Sequence, residues 1–65
     1  MHQEHAFEVG GRIAIDSAFG GKTTYGTVKQ IKGFLNRTLV VLYDGSTNTS
    51  EIEYRIARHL KNGES

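Results

Sequence analysis

The chain has 65 residues, enough for one domain that buries only about 60% of the surface its unfolded chain exposes. It has no Cys, which excludes disulfides and thiolate metal sites, and no apolar run long enough to span a membrane. A net charge of +1 names no partner by itself, but the cations are unevenly placed along the chain.

No charged segment followed by an apolar run marks a secretory signal, so the chain reads as intracellular and cytoplasmic. A small core without staples also raises the expectation of homo-oligomerisation. Residues 1–6 are polar and read as a flexible N-terminus, 7–61 as the domain, and 62–65 as a flexible C-terminus. His2, Glu4 and His5 lie in the first of these segments, where they offer only an adventitious metal site.

The first strand candidate is Arg12-Ile13-Ala14-Ile15-Asp16, in which Ile13 and Ile15 share a face. Residues 17–22 read as a loop carrying Phe19 and Gly20-Gly21. Residues 23–32 are rich in strand formers, but the phase slips. Val28 and Ile31 are three apart, and a period-2 strand cannot bury both without a bulge. Gly26 and this slip predict a long, sharply curved strand.

Gly33-Phe34-Leu35-Asn36 reads as a hairpin connection, and 37–43 as the clearest strand, apolar on both faces. Such a strand is central to a closed sheet or covered by a partner. Asp44-Gly45 marks a tight turn. Residues 46–61 carry two readings. Ser50-Glu51-Ile52-Glu53 fits a helix-capping box, and Ile52, Ile56 and Leu60 follow helical spacing. The alternative is a strand to about Tyr54, one helical turn, and a short strand near 58–60. Edge accounting favours the latter, because three strands and a helix leave more backbone unpaired than five strands. The expected fold is all-β: a five-stranded small barrel with one short helical turn near the C-terminus.

On these segments the chain resembles the Tudor/KOW group of SH3-like barrels. The matching pieces are Val9-Gly10-Gly11-Arg12-Ile13-Ala14, Tyr25-Gly26-Thr27-Val28-Lys29-Gln30-Ile31, Val40-Val41-Leu42-Tyr43-Asp44-Gly45 and Ile56-Ala57-Arg58. Together they span roughly residues 8–60. The resemblance implies a partial aromatic cage at Tyr25 and Tyr43. Further cage aromatics are expected where this chain has Ile15 or Asp16 and residues 47–50. A second resemblance, to the type II dihydrofolate reductases, rests on Glu51-Ile52-Glu53-Tyr54, of which only the Tyr matches that family's V-Q-I-Y.

Function is read from the hairpin and the C-terminus. Residues 17–43 hold Lys22, Lys29, Lys32 and Arg37 and no acid, although four cations over this length also suit an ordinary solvated face. Lys29, Lys32 and Arg37 flank Phe34-Leu35, so an exposed Phe34 would stack on a base while the cations meet phosphates. It would equally dock into a protein partner, with Leu35 and Val40/Leu42 extending an apolar patch. The plain alternative is that Phe34 folds back to plug the core. Arg55 and Arg58, with His59 and Lys61, form a second basic cluster beside Glu51 and Glu53.

Catalysis has no residue pattern behind it. No Ser sits in a G-x-S-x-G elbow, and Gly21-Lys22-Thr23 lacks the earlier Gly of a phosphate loop, since Asp16 stands there. The reading is a non-catalytic binding module, without cofactor or metal, for nucleic acid or, alternatively, for another protein or a second copy.

Overall fold

A computed structural model describes residues 7–18 and 20–64. Phe19 and the residues 1–6, with their two His, lie outside the described residues. The strands are β1 (Arg12–Asp16), β2 (Thr23–Lys32), β3 (Thr38–Tyr43), β4 (Thr49–Glu53) and β5 (Arg58–His59). Single 3-10 turns at Phe34–Asn36 and Tyr54–Ile56 are the only helical pieces among the described residues. The strands form one antiparallel sheet in the order β4-β3-β2-β1-β5. β4 and β5 are its two edges, with no ladder between them among the described residues.

The C-terminal segment is therefore strand, tight turn and short strand. Ser50 begins no helix. Its residues are committed to the β3–β4 ladder, where Ser50 faces Val41 and Ile52 faces Leu39. No helix of the described residues is long and apolar enough to cross a membrane.

The expected slip in β2 is a bulge. Val28 pairs with Val41 and Gln30 with Val40, leaving Lys29 as the extra residue. The bulge returns Ile31 to the face of Val28, opposite Leu39. Ile13, Val28, Leu39 and Val41 form the buried core, with Ile15, Ile31, Tyr43, Ile52, Tyr54 and Phe7 packed around it. At Gly26 the strands approach so closely that a Cβ would stand 2.9 Å from the Leu42 carbonyl oxygen. Hence a Gly sits where β3 comes this close to β2.

Two polar straps cover the outer face. Lys32 on β2 reaches Glu51 on β4 at 2.7 Å, crossing β3, and Val40 on the same face is buried. Across β1, Glu64 accepts a hydrogen bond from the Tyr25 hydroxyl at 2.9 Å and a two-point contact from Arg58 at 2.8 and 2.9 Å. Ala14, which faces Tyr25 on one side and Arg58 on the other, is fully buried. Glu64, read from sequence as part of a trailing end, is thus packed onto the sheet. The turn that brings it back is closed by the Glu64 N–H on the Lys61 carbonyl at 2.9 Å.

Candidate functional site

The β2–β3 connection begins at Gly33, whose φ of +88° belongs to glycine. A Cβ there would also meet the Thr38 hydroxyl at 2.8 Å. Leu35 and Asn36 follow with φ of 58° and 56°, the left-handed region that Asn tolerates and Leu does not favour. The turn is closed by Asn36 N–H to the Gly33 carbonyl at 3.0 Å and Arg37 N–H to the Phe34 carbonyl at 3.3 Å. This backbone leaves Phe34 83% exposed and Leu35 62% exposed. Phe34 therefore does not plug the core.

Beside the tip lies an open cleft of about 410 Å³. Ile31 and Leu39, the pair placed by the bulge, contribute core side chains to it, with Phe7 and Tyr54 beside them and Leu35 and Arg37 from the tip. The Tyr54 N–H donates to the Arg37 carbonyl at 2.8 Å, tying the hairpin to the second 3-10 turn. Arg37 and Tyr54 also line a neighbouring cleft of about 300 Å³, shared with Glu53 and Arg55. Phe7 stacks on His59, with ring centroids 4.5 Å apart.

The cations divide into engaged and free. Lys32 is held by Glu51, and Arg55 lies 3.2 Å from Glu53. Arg58 is bound by both Glu64 and Asp16, the latter through contacts of 2.7 and 3.0 Å. Those contacts push the Arg58 pKa up. The Arg58 guanidinium, with Thr23 donating as well, lowers Asp16 to about 2. Arg58 and the Lys61 N–H lower Glu64 to about 2 as well. The Tyr25 phenol is raised because it donates to the Glu64 carboxylate. Arg12 is likewise taken up by Asp44 at 2.6 and 2.8 Å, which lowers Asp44. Among the described residues Lys29 and Arg37 form no ion pair, and both are exposed.

The structure thus brings Phe34, Leu35 and Arg37 together and leaves Lys29 free on the bulge. It draws Lys32, Arg55 and Arg58 into internal pairs. Tyr25 and Tyr43 are not brought together. Tyr43 faces Gly26 and packs on the core, whereas Tyr25, one residue along β2, points to the opposite face. The expected apolar patch loses Val40 to burial, and Leu42 is half-buried. Phe7 and Tyr54 are site residues that sequence reasoning missed. Tyr54 carried a usable signal, as an aromatic at the end of a predicted strand.

No family model matches the chain, and neither does any curated protein or solved structure.

Proposed function

We propose that the chain is a non-catalytic binding module, an SH3-like small barrel of Tudor-like type, that docks on a protein partner through the β2–β3 tip and its cleft. The strand order, with the last strand returned to the first through a single 3-10 turn, supports the SH3-like reading. The observation that carries the docking reading is the exposure of Phe34 and Leu35 beside a cleft whose apolar residues reach the core. Exposed apolar groups next to a concavity favour a protein contact.

The nucleic-acid reading is second. Lys29 and Arg37, free on either side of Phe34, favour it, but Lys32 and Arg58 are already neutralised. The two readings separate on salt. Phosphate-driven binding weakens steeply with ionic strength, and apolar docking does not.

The test is a random-peptide display selection on the wild-type chain, counter-screened on Phe34→Ala, with a mixed DNA and RNA pool titrated at low and moderate salt. Peptides that require Phe34 support protein docking. Salt-steep nucleic-acid binding centred on Lys29 and Arg37, with no Phe34-dependent peptides, would replace it with the second reading.

A further inference from the structure

The apolar cleft and its cationic neighbour share a wall, and that wall defines what fits them. Arg37 and Tyr54 line both. No acidic residue lines the apolar cleft, and in the neighbouring one Glu53 already sits against Arg55 at 3.2 Å. Arg37, anchored through its carbonyl to Tyr54, is therefore an uncompensated cation at the junction. A cleft of about 410 Å³ has room for a large apolar side chain, since a cavity of roughly 150 Å³ already holds benzene. The exposed Phe34 and Leu35 extend the apolar contact beyond it. β4 adds a further feature of a peptide site. Among the described residues it pairs only with β3, and its free edge ends at Glu53, beside the second cleft.

Resting on the protein-docking reading, we propose that this paired cleft takes a short extended segment of a partner protein in which a bulky apolar residue is directly followed by a carboxylate. The apolar side chain enters against Ile31, Leu35 and Tyr54, and the carboxylate meets the Arg37 guanidinium. An Arg fork and a carboxylate make a directional contact, so the acid adds specificity to apolar affinity. The rim position keeps its contribution small.

The experiment uses the full chain labelled at amides and methyl groups. The probes are three capped peptides titrated into the millimolar range: acetyl-Gly-Phe-Asp-Gly-amide, its Asn counterpart, and its Ala counterpart lacking the ring. The expected result is that the Phe-Asp peptide shifts the methyl groups of Ile31, Leu35 and Leu39 and the amide of Arg37. It binds about threefold tighter than the Asn peptide and at least about tenfold tighter than the Ala peptide. Arg37→Gln should erase the difference between the Asp and Asn peptides while the methyl shifts persist.

Equal binding of the Asp and Asn peptides overturns the carboxylate recognition, yet leaves tip docking standing if the shifts still centre on the cleft. Concentration-dependent broadening of the cleft signals without peptide, with no response to any probe, assigns the surface to a second copy and overturns the proposal. If no probe moves the cleft and no display-selected peptide requires Phe34, the docking reading falls as well.

Discussion

Leu35 is where folding and function separate at the scale of single residues. It holds a left-handed backbone (φ 58°) that costs an L-residue with a large side chain roughly 1–2 kcal/mol, yet it is 62% exposed and recovers little of that by burial. Asn tolerates this conformation, as the neighbouring Asn36 already does. Leu35→Asn is therefore expected to raise folding stability by about 0.5–1 kcal/mol in urea unfolding while weakening display-selected peptides. A stability loss instead would mean that the Leu35 side chain carries packing its exposure hides. Gly33 tests the same turn in the other direction. With φ at +88° and the Thr38 hydroxyl 2.8 Å from where a Cβ would stand, Gly33→Ala should cost about 1–3 kcal/mol. An unchanged urea midpoint would refute the turn geometry. The Gly33-Phe34-Leu35-Asn36 connection was legible in the sequence, but the direction of Phe34 was not. That direction follows from the positive φ angles on both sides of it, at Gly33, Leu35 and Asn36, and Leu35 is a residue whose type does not announce such a backbone.

At the scale of elements, two-residue β5 is held to β1 by only two residue pairs, so side chains supplement its ladder. Arg58 supplies them by gripping Glu64 and Asp16 together, with Tyr25 closing the strap over Ala14. Both carboxyls are depressed to about 2, from ordinary values of 4.5 for Glu64 and 3.8 for Asp16. A depressed carboxyl stabilises the fold above its unfolded pKa and loses that contribution as pH falls through its folded pKa. Melting temperature should therefore be flat above about pH 5 and fall progressively toward about pH 2. Arg58→Gln should lower it at neutral pH and flatten much of this acid slope, the Arg12–Asp44 pair retaining a part. An acid slope identical to wild type in Arg58→Gln would show that the strap is not a folding contact. Local pattern and edge accounting explain which elements the sequence revealed. The Val28/Ile31 slip and the Asp44-Gly45 turn depend on neighbours in the chain, whereas the strand-turn-strand ending followed from accounting for unpaired sheet edges against a local helical pattern. The straps follow from neither. Glu64 meets Tyr25 39 residues away, and Lys32 meets Glu51 only because β3 lies between their strands. The basic clusters consequently looked freer in sequence than they are in the fold.

For the whole molecule the decisive quantity is how little core there is. The cluster of buried residues is Ile13, Val28, Leu39 and Val41, and a domain of this size rarely holds more than about 3–5 kcal/mol without staples. Leu39 is 1% exposed at the centre of β3, pairing with Ile31 on one side and Ile52 on the other. Truncating such a Leu to Ala costs about 2–5 kcal/mol, comparable to the entire margin. Leu39→Ala should therefore leave a large unfolded population at 25 °C, seen as collapsed amide dispersion and a urea transition without a native baseline. Phe34→Ala removes more apolar surface from the molecule, but from a residue that is 83% exposed, so its unfolding free energy from urea titration should change by no more than about 0.5 kcal/mol. The contrast bears on function because a marginal fold gains nothing from displaying a large aromatic to water. If Phe34→Ala destabilised the chain as Leu39→Ala does, the ring would belong to the core and the docking surface would lose its main anchor. If stability is untouched and Phe34-dependent peptides are lost, the ring serves a contact outside the fold.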